Sequence, residues 1–282
     1  LRVTESGRSI FKLIAFVIVG LCFVGCDNTD KRAWHYDNGQ TEIEGHYKDG
    51  VPHGKFVDYY PNGKVKGVSY FVNGKREGKT VVYFENGNPK SIVTFSRGIM
   101  IDTAKYFHES GVLEQSVPFK RGRKNGWVDF YDREGNLLQR HEYFSQGDQE
   151  HQNQYIVFDE KGRINADSSV YITLKSSGDT VKLGEPHRLQ VKLETPLMGK
   201  KGKMEVHIGN FDEEYRLGKN SVPDTVKGKD NLATVLIEPK RRGRHRVRGR
   251  VVNYVINNSK EEQPEWLKRE VHIYFTKDYY VL

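Results

Sequence analysis

The chain has 282 residues, of which 36% are hydrophobic and 29% charged, and it carries a net charge of +8. That balance suits folded domains and excludes a disordered, charge-dominated chain, and the length leaves room for two domains of ordinary size. An aromatic content of 12% together with 28 glycines favours strands joined by tight turns.

The first element is an export signal. Arg8 and Lys12 precede the uncharged run LIAFVIVGLCFVG, residues 13–25, which has the length of a signal core and is short for a spanning helix. Residues 1–25 therefore read as a signal peptide. FVGC at Phe23–Cys26 resembles a bacterial lipoprotein signal, in which a small residue precedes a cysteine that receives lipid. Cys26 fits that role, whereas Cys22 follows the bulky Leu21. The resemblance implies a lipid-anchored protein of the bacterial cell envelope, the outer membrane being favoured over the inner, with residues 26–33 as a tether. An unprocessed anchor or an ordinary secretion signal is the alternative reading of the same run. A chain beginning at Cys26 carries +6. With Cys22 removed and Cys26 acylated, no thiol is left for a disulfide, a metal or nucleophilic chemistry.

From residue 34 the chain becomes periodic. Gly39, Gly63, Gly87, Gly111 and Gly135 follow one another at 24 residues, and Gly162 comes after 27. A second series, Gly50, Gly74, Gly98, Gly122 and Gly147, keeps the 24-residue step until a last interval of 25. Three residues before each of these stands an aromatic: Tyr47, Phe71, Phe95, Phe119 and Phe144. A third series, Gly54, Gly78 and Gly126, skips Asp102. A fixed period of this kind marks a repeat array. It also disposes of an apparent phosphate-binding loop, GKREGKT at 74–80. That stretch is one residue short of G-x-x-x-x-G-K-[ST] and runs into TVVYFENG, a strand and turn where the phosphate loop needs a helix.

Asn38-Gly39, Asn62-Gly63, Asn73-Gly74 and Asn86-Gly87 suit tight hairpin turns, and KFVDYY and KTVVYF between them have strand lengths and strand residues. Each unit is then a hairpin that becomes stable by stacking on its neighbours, with the in-phase aromatics as a structural ladder. A ligand-binding stripe is the other reading of those rings. YYPNGKVKGVSYFVNGKREGKTVVYF and its neighbours resemble MORN repeats, specifically the bacterial variant often described as an antitoxin component. The resemblance runs over residues 34–165. It implies an elongated β-hairpin sheet used for protein or membrane contact, with no catalytic residues.

Past Gly162 the beat stops, DQEHQNQ at 148–154 having already disturbed the last copy, and a boundary falls near 165–168. VYITL, HRLQVKL, KMEVHIG, ATVLIE, HRVRGRVVNYV and EVHIYF then alternate with turn residues at the spacing of a β-sandwich. Residues 168–282 resemble an Ig-like module; another sandwich or a barrel remains the alternative. The fold class expected is thus all-β, a MORN-like hairpin sheet followed by an Ig-like sandwich. Within PKRRGRHRVRGR, alternation puts Arg244, Arg246, Arg248 and Arg250 on one face, with His245, Val247, Gly249 and Val251 on the other. This cationic stripe is a candidate contact for an anionic surface, or a solvated strand face protected from edge pairing.

The ten histidines are scattered, and no H-x-x-x-H, G-x-S-x-G or C-x-x-C arrangement occurs. His141 beside Glu142, and His35 near Asp37, sit in repeat strands and turns. The expectation is a non-catalytic binding or scaffold protein without cofactor or metal, anchored to the membrane, with a protein partner in the envelope and no nucleic acid. An antitoxin-like or immunity protein acting on an envelope toxin is the alternative.

Overall fold

Each 24-residue unit supplies strands of alternating character closed by two different turns, so the chain can only meander. The computed structural model describes residues 29–195, 202–255 and 270–282; the signal segment and Cys26 lie outside the described residues. The first sheet contains β1 (Thr29–His35), β2 (Thr41–Lys48), β3 (Val51–Tyr59), β4 (Val65–Val72), β5 (Lys75–Arg76), β6 (Gly78–Tyr83) and β7 (Pro89–Ser96). It continues with β8 (Ile99–Phe107), β9 (Leu113–Lys120), β10 (Arg123–Lys124), β11 (Gly126–Tyr131), β12 (Leu137–Gln146) and β13 (Gln149–Val157). Strand order follows chain order, and the short β5 and β10 pair with β4 and β9. One correction concerns the tether: residues 29–33 belong to β1, paired with β2, because their backbone completes the ladder begun by Ile43–Lys48.

The two turns are built differently. In the first, the Tyr36 N–H donates to the Gln40 carbonyl and the Gly39 N–H to the Tyr36 carbonyl, both at 2.8 Å. The same pair of bonds recurs at residues 60–64, 84–88, 108–112, 132–136 and 159–163, each with its glycine at positive φ. The second is a two-residue turn such as Asn73-Gly74, at φ +49° and +76°, the pattern whose twist matches the flanking strands. At the last copy β12 has ten residues where β9 has eight, and Gly147 takes the first loop position instead of the second.

The third glycine series forms a kink opposite the aromatic of the neighbouring strand: Gly54 faces Phe71, Gly78 faces Phe95 and Gly126 faces Tyr143. Asp102 occupies the equivalent place opposite Phe119 and adopts φ +59°. An L-residue other than glycine is strained there. Asp102→Gly is therefore expected to raise stability by up to about 1 kcal/mol, and Asp102→Val to lower it by more than that, as read from denaturant midpoints.

Burial runs across the strands. Gly45, Phe56, Ser69, Thr80, Val93, Ala104, Val117, Val128 and His141 fall in register along one face. Val128 is 1% exposed and Ala104 fully buried. The aromatics Tyr47, Phe71, Phe95 and Phe119 lie one position outward on this face and are half-buried. Phe144 is a correction to the expected ladder. Tyr143, opposite Gly126, is the fifth rung, and Phe144 points to the other face, where it is buried against Tyr215 and Tyr274. The longer β12 shifts the residue before the turn by one, and neighbouring strand residues face opposite sides.

The second unit is a two-sheet sandwich. One sheet has β14 (Ile172–Ser176), β16 (His187–Leu193) and β19 (Leu232–Ile237); the other has β15 (Thr180–Val181), β17 (Lys203–Ile208), β18 (Asp224–Lys227), β20 (Gly243–Tyr254) and β21 (Glu270–Val281), ordered β15-β21-β20-β17-β18. Strict alternation in HRLQVKL turns Leu189, Val191 and Leu193 onto Val206, Val251, Ile273 and Phe275.

His187 also points inward. It is fully buried, stacks on Tyr279 at 4.1 Å between ring centroids, and neither ring nitrogen has a partner. Burial lowers its pKa, Lys277 adds to the effect and Asp179 opposes it. Above about pH 6.5 folded and unfolded chains both hold this imidazole neutral. Below that, the unfolded chain takes up a proton that the folded one refuses, so stability falls with pH. His187→Phe is expected to flatten part of the stability loss between about pH 6.5 and 5 while keeping the stack, as measured by denaturation across that range.

Candidate binding surface

The repeat sheet is one layer thick. Among the described residues no other element packs extensively across either face from β1 to β8. On the aromatic face the rungs are separated by the residue at position 52, 76, 100 or 124: Tyr47 pairs with Pro52, Phe71 with Arg76, Phe95 with Met100 and Phe119 with Lys124. The Arg76 guanidinium lies 5.9 Å from the Phe71 ring centroid and 5.6 Å from that of Phe95, and Lys124 lies 4.9 Å from Tyr143. Two of the four intervening residues are thus cations set against the rings, which satisfies those π faces from within the sheet. The expected structural role of Tyr47, Phe71, Phe95 and Phe119 fits this packing.

The loop edge ties repeat to repeat. The Tyr36 hydroxyl donates to the Tyr59 carbonyl at 2.8 Å and Tyr60 to Tyr83 at 2.6 Å. Asn38 Oδ1 accepts from its own loop at Gln40 N–H while Nδ2 donates to the Pro61 carbonyl of the next repeat. Asn86 does the same with Asn88 and Glu109. Asn38, Asn62 and Asn86 therefore each have a second task that turn preference alone does not express.

At the other end the sandwich caps the array. The Asn153 side chain accepts from the Tyr274 N–H and donates to its carbonyl, both at 2.8 Å, as a strand residue would. Its amide and that of Gln154 also donate to Glu142, whose carboxyl is pushed up by burial and partly restored by these bonds. Tyr215 packs on Phe144 and Tyr274 at 5.2 Å each. It does so at φ +58°, in a loop with the same bonds as the repeat loops, Asp212 N–H to the Arg216 carbonyl and Tyr215 N–H to the Asp212 carbonyl. Beside this wedge lies a cleft of about 260 Å³ lined by Lys120, Arg121, Arg123, Glu213 and Arg216. Its charges largely neutralise one another, with Lys120 to Glu213 at 3.1 Å and Arg216 to Asp212 at 2.9 Å. The cleft reads as the seam between the two units.

Arg244, Arg246, Arg248 and Arg250 do share one face of β20, and Val247, Gly249 and Val251 are buried behind them. Arg246 and Arg244 both bind Asp278, at 2.6 and 3.1 Å, and hold its carboxyl down at about 2. Arg248 donates to the Phe211 carbonyl and Arg250 to His207. The stripe is thus occupied by internal partners, with Arg244 the most open at 75% side-chain exposure.

Of the histidine pairs, His141 packs between Phe130 and Tyr155 with its ring tilted against both, and Glu142 serves the junction. Among the described residues no cluster of three or more metal-ligating side chains occurs, and no helix is long and apolar enough to cross a membrane. No curated protein matches the chain. Residues 31–49, 52–73, 76–96 and 103–121 match the MORN repeat variant. The meander from β1 to β9 is therefore similar to four MORN repeat variants in succession, and the same hairpin geometry continues through β13 beyond the matched segments.

Proposed function

We propose that the chain is a non-catalytic, lipid-anchored protein of the bacterial cell envelope that acts as a binding scaffold through its repeat sheet. The observation that carries this reading is the single-layer meander, whose side-chain chemistry recurs every 24 residues along two open faces instead of converging on one point. The sandwich at its end reads as Ig-like. β14, β16 and β19 correspond to strands A, B and E, and β17, β20 and β21 to C, F and G. It closes the last edge of the array, as terminal units of repeat proteins do.

Anchoring rests on Cys26 and the apolar run before it. Cys26→Ser is expected to abolish fatty-acid labelling and move the protein from the membrane to the soluble fraction. Label and membrane retention unchanged in the variant would remove the lipid anchor from this reading. The scaffold role is tested by crosslinking in intact cells followed by capture of the full chain. A partner crosslinked to the array is expected, and crosslinks confined to the sandwich would overturn it.

A further inference from the structure

The face opposite the aromatics carries a charge pattern that does not turn into ion pairs, although Lys66 and Lys90 reach over the Tyr60 and Phe84 rings at 5.8 and 5.6 Å. Lys55 and Lys79 stand 24 residues apart, as do Lys66 and Lys90. All four are exposed, and none is within ion-pair distance of a carboxylate among the described residues. Between them, in register across four strands, run Val57, Val68, Val81 and Ile92. Lys105, opposite Ile92, ends the row. On this face the strands from β3 to β8 present no acidic side chain, since Asp58 shares the other face with Phe56, and Asp102 sits at the kink.

The dimensions define what fits. The lysine pairs flank the apolar row about four residues apart along the strands, roughly 13 Å, which admits an α-helix of about 10–12 Å diameter. Lysines of one rim recur every second strand, about 10 Å, close to seven residues of helical rise. The floor from Val57 to Lys105 spans about 19 Å, or some 13 helical residues. We infer that this face docks an amphipathic α-helix of a partner protein, its apolar stripe on Val57, Val68, Val81 and Ile92 and acidic residues seven apart on each flank, against Lys55 and Lys79 on one side and Lys66 and Lys90 on the other. The inference rests on the scaffold reading and names the surface and the chemistry of the partner.

The test uses the full chain and a synthetic helix with a leucine stripe flanked by glutamates at that spacing, beside the same helix with lysines for glutamates and vesicles of phosphatidylglycerol. The acidic helix is expected to bind and the basic one not. Binding should weaken steeply with salt, and fall about tenfold or more when Lys55, Lys66, Lys79 and Lys90 are all changed to Gln. A variant with Arg244→Gln and Arg246→Gln should bind like the parent. Equal binding by the quadruple variant and the parent, absence of peptide binding, or binding to the vesicles alone would overturn the inference. A cellular partner still crosslinked to the array in the quadruple variant would leave the scaffold reading standing and this face without its role.

Discussion

Phe56→Ala is expected to destabilise the repeat sheet by about 3–5 kcal/mol, the range for removing a fully buried phenylalanine. Phe56 is 5% exposed although its sheet has no second layer above it. Its burial comes from Gly45, directly opposite on β2: a Cβ there would lie 2.2 Å from the Phe56 ring. The ring therefore lies over the glycine, the arrangement by which an aromatic covers a bare strand position. From there it meets Tyr47 at 5.3 Å and Phe71 at 4.8 Å between centroids. Gly45→Val should consequently cost several kcal/mol by itself, because the ring must leave. In the Phe56→Ala background the valine meets open space. The double variant is then expected to lose less than the sum of the two, with a coupling above about 1 kcal/mol in urea denaturation. Strict additivity would mean that Gly45 and Phe56 do not share that space.

Much of this architecture is legible in the sequence, because turn glycines and strand alternation are local signals. The glycines at 39, 63, 87, 111 and 135 all occupy positive-φ loop positions, and the four arginines of β20 share the face that alternation assigns them. What escapes reading is set by partners distant in the chain. Gly45 is a strand glycine without turn chemistry, and only the register with Phe56 gives it meaning. Asp278, which occupies Arg244 and Arg246, lies more than thirty residues beyond them. The 25-residue step before Phe144 was a signal that this ring had left the ladder, since an odd shift in a strand changes its face. DQEHQNQ reads as a disturbance of the repeat because its residues answer to another unit. Asn153 and Gln154 are buried at the junction, a setting in which polar side chains persist only when their hydrogen bonds are met.

That junction sets the second large effect. Asn153→Leu keeps a similar volume yet removes both bonds to the Tyr274 backbone and one to Glu142. Tyr274 is left with an unmet N–H and carbonyl, and the buried Glu142 carboxyl keeps only Gln154, at 2.7 Å. Buried groups stripped of partners cost about 1–3 kcal/mol each, so a loss of about 3 kcal/mol in the coupling between array and sandwich is expected. Other ties, among them the Tyr155–Val170 bridge, the Lys120–Glu213 pair, the bonds from the Gly147 N–H to Glu214 and from the Ile172 N–H to Gln154, and the Phe144, Tyr215 and Tyr274 cluster, do not replace a bond to the β21 backbone. Calorimetry of the full chain should show one transition in the parent and two in Asn153→Leu, with faster exchange of the Tyr274 amide. Glu142→Gln supplies the contrast: an amide oxygen can still accept from Asn153 and Gln154, and the cost of holding a carboxylate in a buried place disappears. This variant should melt as the parent does. A single unshifted transition in Asn153→Leu would show that the other ties across the seam hold the cap on the array without Asn153.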